Sequence, residues 1–313
     1  MMTAAPLKDR ERPTIFIATA LVLLAVLGLW AASLIATAVE PRTATARELM
    51  VSALYYLPFV LLPVAAYCLR HRGLSEGLRL NPLPVLPTLT VAFLALMCVY
   101  AASAVDGLWI ALLNALGLHE PDVTVAAANS AGLTVQIIGS AAIPAVCEEL
   151  LFRGVAFSAF ERRGTWAGLW MSSALFALTH GNLFGLPAYL LVGAVAAFVV
   201  YALDSLYAGM LFHTVYNTAI LVILYTLSDQ AEALAEAASS VDYLSAALDL
   251  AVVGLLIGAT LWTLDLRRRA AGIAPVPRDR APLAKRERVM LILLLVVLAA
   301  STVVVQVLTE AGL

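Results

Sequence analysis

Charged residues are scarce in this sequence: they make up 13% of its 313 residues, against roughly 25% in soluble domains. That leaves too few charges to coat a water-facing surface, which excludes an ordinary soluble domain. Cysteine is scarce too. Cys68, Cys98 and Cys147 each lie in or beside an apolar run, and no CxxC pair is present. The odd count and the spacing exclude a disulfide framework and a zinc finger, so they read as small buried hydrophobes. The sequence has no phosphate-binding loop, no solenoid period and no HExxH metalloprotease motif. The net charge of −2 says little, because the distribution of charge matters more than the sum; no nucleic-acid partner is expected.

What the sequence has instead is carbon. Hydrophobic residues reach 62% and the mean hydropathy is +0.94, so the bilayer must be part of the solvent. Nine apolar runs cover about 15–39, 50–69, 85–113, 131–158, 166–181, 183–203, 206–227, 244–264 and 289–309. Most approach the ~20 residues a spanning helix needs. The first is too long for a signal-peptide core and reads as a retained anchor. The expected fold class is all-α: a polytopic transmembrane helical bundle, about eight helices in the core plus one extra C-terminal span.

The basic residues order these spans. Numbering the hydrophilic segments alternately puts 17 of the 19 Lys and Arg residues in one set. That set holds the N-terminus, residues 70–81, residues 153–165, the turn at Asp204 and residues 265–288. The other set has only Arg42 and Arg47, and includes the acidic loop with Asp229, Glu232, Glu236 and Asp242. The positive-inside rule places the first set, and the N-terminus with it, in the cytoplasm. Residues 1–264 read as the membrane bundle. Residues 265–288, rich in Arg and containing Pro275, Pro277 and Pro282, read as a solvated linker touching anionic headgroups. Residues 289–313 carry the last span, an appendage behind that linker.

Ionisable groups inside spans are costly and default to functional candidates. Three clusters stand out: Glu148-Glu149-Leu150-Leu151-Phe152-Arg153, Phe176-Ala177-Leu178-Thr179-His180, and His213-Thr214-Val215-Tyr216-Asn217. Glu149 and Arg153 are four apart, share a helix face and can pair. Glu148 lies about 100° around the helix and escapes that pair. One carboxylate held and its neighbour available is an arrangement suited to a general base. Glu148 and His180 stand equally far from Gly164, so a hairpin turning there puts them at similar depth. His213 and Asn217, also four apart, can aim two donors at one point, as an oxyanion hole requires. His71 and His119 are expected in loops away from the site.

EExxxR, FxxxH and HxxxN in this order on successive membrane helices resemble the CAAX-processing and bacteriocin-immunity family (CPBP, also called Abi), which includes the type II CAAX prenyl endopeptidases. The resemblance covers about 131–227, and Ser205-Leu206-Tyr207 before His213 also fits it. Asp204 departs from the small or basic residue usual there, and a ninth span exceeds the usual eight. The resemblance implies an intramembrane endopeptidase in which Glu148, His180, His213 and Asn217 are catalytic and Glu149 and Arg153 support them. It implies a membrane-associated or lipidated substrate, of prenylated CAAX type in the eukaryotic case, and a prokaryotic plasma membrane as the setting. Glu148, His180 and His213 are also candidates to hold Zn²⁺ or another divalent metal. Two other classes stay open at this point: a non-catalytic scaffold or immunity protein on the same fold, and a proton-coupled transporter. Against the latter, duplicated halves are not apparent.

Overall fold

The computed structural model describes residues 12–39, 43–68, 77–119, 130–227 and 243–310. Lys8, Arg10, Arg42, Arg70, His71, Arg72 and the acidic residues 229–242 of the sequence reading lie outside these. The described residues are 84% helix, without a strand. Hydrocarbon offers the backbone no hydrogen-bond partner, so each apolar run closes its own ladder.

In chain order the helices are α1 (Ile15–Ala38), α2 (Ala44–Cys68), α3 (Val85–Ala115), α4 (residues 130–163), α5 (Thr165–Thr179), α6 (Leu186–Leu203), α7 (Leu206–Thr226), α8 (Tyr243–Ala270) and α9 (Lys285–Glu310). Eight of them are long and apolar enough to cross a membrane. The exception is α5. Its 15 residues give about 22 Å, short of the ~20 residues of a full span. α5 forms a hairpin with α6, and the tip of that hairpin is recessed. Trp109 Nε1, six residues before the end of α3, donates to the Leu183 carbonyl at the tip, at 2.9 Å.

Two apolar clusters flank α4. One joins α1, α2, α4 and α5 and includes Leu294 and Leu298 of α9. The other joins α3, α6, α7 and α8. Large apolar side chains such as Leu34, Val85 and Leu255 face outward, as lipid contact allows. The last helix meets this cluster along one stripe: Leu294 and Leu298 are fully buried and α9 lies along α1, while most of the span stays outside the bundle.

One end of the bundle carries a buried charge cluster. Glu161, at the foot of α4, is fully buried and receives both Arg12 and Arg79. Arg79 Nε is 3.5 Å from Asp204 Oδ1, and Asn81 Nδ2 donates to the Asp204 carbonyl at 2.6 Å. Arg268 donates to the Tyr201 carbonyl, and the amide of Asp279 donates to the Arg162 carbonyl at 2.7 Å. Segments that the charge count assigned to one side thus meet at one end. Burial works against the Arg79 guanidinium, but Glu161 and Asp204 outweigh it and hold it above its ordinary value. Burial also pushes the Asp204 carboxyl up, by more than Arg79 and Arg268 pull it down. Asp204 sits in the left-handed region, φ 46° and ψ 39°, one of the few non-glycine types that tolerate it.

Candidate active site

The site is built on α4, which is irregular where the chemistry lies. An α-helical stretch, Ile143–Glu149, is bracketed by π-helical turns at Ile137–Ala142 and Leu150–Phe157. Such turns are rare and often mark functional sites, because they re-aim side chains that a regular helix would fix. Glu148 and Glu149 end the α-helical stretch, and Arg153 sits on the second π turn.

Glu149 and Arg153 are both fully buried, and Arg153 Nη1 donates to Glu149 Oε1 at 2.7 Å. Arg153 Nη2 donates to the Gly193 carbonyl of α6 at 2.9 Å. The guanidinium also lies over the Phe176 ring, 4.6 Å from its centre. This is the i,i+4 pair expected from spacing, with two further anchors on α5 and α6. Glu148, on the adjacent face, makes no hydrogen bond through Oε2.

His213, from α7, enters between the two carboxylates. Its Nδ1 is 3.3 Å from Glu149 Oε1 and its Nε2 is 3.8 Å from Glu148 Oε2. The approach requires a glycine one turn earlier. A Cβ on Gly209 would stand 2.5 Å from Glu149 Oε2 and 2.7 Å from Val200 Cγ2.

His180 caps α5. Its Nδ1 lies 2.8 Å from the Phe176 carbonyl, and its ring stacks on Tyr189 of α6, with centres 4.1 Å apart. His180 and His213 are not at equal depth. About 24 Å of helix separates His180 from Gly164, but only about 14 Å separates His213 from Asp204. Phe176, one turn nearer the charged end than His180, closes the gap. Its ring centre lies 4.7 Å from that of His180 and 5.5 Å from that of His213. A single buried phenyl thus touches both histidines and Arg153.

A cavity of about 310 Å³ opens beside this assembly and is lined by Glu148 and His180. The structure therefore brings Glu148, Glu149, Arg153 and His213 into direct proximity, with His180 reaching them through Phe176 and the cavity. Asn217 lies half-buried one turn beyond His213 on α7. Neither Asn217 nor His213 lines the cavity. His119 is exposed in the segment after α3, as expected. Sequence reasoning missed the hub role of Phe176, the stacking of Tyr189 and the buried Glu161. The FxxxH spacing was the one available signal for Phe176, since residues four apart share a helix face.

The expected metal ligands do not close on one point. Among the described residues no three His, Cys, Asp or Glu side chains are grouped to hold a metal ion. Nδ1 of His180 is engaged by a backbone carbonyl, and both nitrogens of His213 face carboxylates.

With this geometry in hand, the comparison with known families is direct. Residues 130–219 match the family described as type II CAAX prenyl endopeptidase Rce1-like. The match runs from the start of α4 into α7 and contains all six residues singled out above. It covers less than a third of the chain and is consistent with a CPBP-family intramembrane protease. No curated protein and no solved structure matches the chain. The Rce1-like segment supports protease activity. Together with eight apolar helices it also supports an integral membrane protein.

Proposed function

We propose that the chain is an intramembrane endopeptidase that hydrolyses peptide bonds of membrane-associated substrates, with lipidated, CAAX-type C-termini as the substrate class. The observation that carries this reading is the pairing of the two carboxylates. Glu149 is committed to Arg153, while Glu148 borders a cavity with His213 Nε2 3.8 Å away. A neighbouring lipid chain contributes ~0.8 kcal/mol per buried CH₂ and would concentrate such substrates beside that cavity.

Glu148 takes a proton from water, and the oxygen attacks the scissile carbonyl carbon. The electron pair of the carbonyl moves to its oxygen. His213 and Asn217 donate hydrogen bonds to that oxyanion. Contact of Nδ1 with Glu149 fixes the His213 ring, and as the imidazolium His213 also carries the Nε2 proton that it gives as a hydrogen bond to the oxyanion. His180, donating from Nδ1 to the Phe176 carbonyl, keeps Nε2 as an acceptor and positions the water. The C–N bond then breaks as the Glu148 proton passes to the leaving nitrogen. Arg153 holds Glu149, and through it the histidine.

The charged end of the bundle, with the N-terminus, is assigned to the cytoplasm on the basic bias of its loops. The test is cleavage of a lipidated peptide by purified protein in nanodiscs. Glu148→Gln should abolish turnover, and Asn217→Ala should lower kcat ~10²–10³-fold with KM little changed. Full activity in Glu148→Gln would end the general-base assignment.

A further inference from the structure

The family match ends at residue 219, yet the cavity at Glu148 and His180 has a wall from far outside it. Ser301 and Val305 of α9 line this cavity, together with Trp30 of α1 and Tyr55 of α2. α9 is held in place at both ends. At the charged end the segment before it is bound to the turn joining α4 and α5: Arg163 donates to the Ala281 carbonyl and lies 4.0 Å from Glu287. At the other end Val305 packs against Gly181, the residue after His180, with 3.6 Å between its Cγ2 and a Cβ built on that glycine. Leu294 and Leu298 bury the stretch between against the core. The wall it presents is apolar in effect. Ser301 Oγ donates to its own helix at Val297, 2.8 Å away, and the Ser33 and Tyr55 hydroxyls lie within hydrogen-bonding distance of each other at 3.1 Å.

We propose that α9 is a specificity wall: Ser301 and Val305 set the size of the apolar substrate group seated next to the scissile bond. This rests on the endopeptidase reading for what the occupant is, and on the cavity alone for where it sits. A volume of about 310 Å³ is at the low end of the roughly 300–1,000 Å³ of small-molecule sites, so it takes one or two bulky apolar groups. A large aliphatic side chain and an isoprenoid share that chemistry. Serine at 301 leaves the room that a larger residue would fill.

The test uses three membrane-tethered peptides, with Ala, with Leu, and with Ala plus a farnesylated Cys beside the cleavage point. Cleavage is measured for wild type, Ser301→Phe and Val305→Trp. Binding of the same peptides is measured by fluorescence anisotropy with each wall substitution placed in the Glu148→Gln protein. Both wall variants should lower kcat/KM and affinity for a bulky peptide at least tenfold relative to the Ala peptide, the scale of a pocket misfit. Loss on the Leu peptide alone identifies a side-chain pocket; loss on the farnesylated peptide alone identifies a lipid pocket. Val303→Phe, on the outward face at 62% exposure, should change neither. Val305 is itself 46% exposed, so its tryptophan variant carries the test if Ser301→Phe does not fold. If the ratios do not move in either variant, the wall assignment is overturned. If wild type cleaves nothing while the binding ratios shift as expected, the endopeptidase reading falls and the wall stands.

Discussion

Glu149→Gln is the perturbation that most directly separates the two adjacent carboxylates. Arg153 has no exposure to solvent, and among the described residues Glu149 is its only charged contact at hydrogen-bonding distance. Neutralising Glu149 strands that guanidinium, and breaking a buried pair by removing one partner costs about 3–5 kcal/mol. The Gly193 carbonyl and the Phe176 ring still hold Arg153, which argues for the lower half of that range. At roughly 2 °C per kcal/mol for a chain of this size, the melting temperature in detergent should fall by about 6–8 °C. Glu148→Gln should leave it within a degree or two, because Glu148 Oε2 makes no hydrogen bond and a neutral amide is easier to bury. Adding Arg153→Met to Glu149→Gln removes the stranded charge but also the bond to the Gly193 carbonyl and the stacking on Phe176, a bond being worth about 0.5–1.5 kcal/mol, so recovery should be partial. The assay is a thermal melt of the four proteins alongside peptide cleavage. An inactive Glu149→Gln protein that melts like wild type would refute the reasoning and exchange the roles of the two glutamates.

Further outcomes follow from the same contacts. Gly209→Ala places a methyl against Glu149 Oε2 and Val200, and should cost about 1–3 kcal/mol with loss of cleavage; a stable, active variant would mean α7 can retreat without disturbing His213. Because burial raises the Asp204 carboxyl above its unfolded value, its ionisation destabilises the fold as pH rises through the folded value. Asp204→Asn should therefore melt higher than wild type at pH 7–8, with the difference closing toward and below ordinary carboxylate pH. A lower melting temperature at pH 7 would show that the ion pair with Arg79 dominates. A cytoplasm-active reporter fused after Arg280 should be active and one fused at Leu313 inactive; equal signals would remove α9 as a crossing.

Which parts of this structure the sequence could disclose follows from what the bilayer does to a pattern. Spacing survives: Glu149 with Arg153 meets as i,i+4 predicts, because a helix is the only ladder available in hydrocarbon. Charge at the ends survives as well. Arg12, Arg79, Arg163 and Arg268 were grouped by counting alternate loops, and they gather at one end around Glu161, Asp204 and Asp279. What does not survive is the distinction between inside and outside within a span. In water a buried leucine betrays itself by its polar neighbours; in lipid Leu294 and the exposed Val303 read alike, so the one stripe by which α9 meets the core could not be picked out. The same blindness hid Glu161, whose sequence Glu-Arg-Arg-Gly resembles an exposed turn. A charge buried at a membrane end is legible only from partners 82 and 149 residues away. The site itself lies between these cases. Its ionisable residues were conspicuous because they are expensive in an apolar run, but their depths could not be matched by counting. The π turns in α4 leave no compositional trace, and Phe176, whose ring lies against both histidines, is offered by the sequence as one more apolar residue. Polar chemistry in a membrane protein is thus announced by its cost, and the apolar parts that aim it, here Phe176, Tyr189 and the α9 wall, need a structure to be seen.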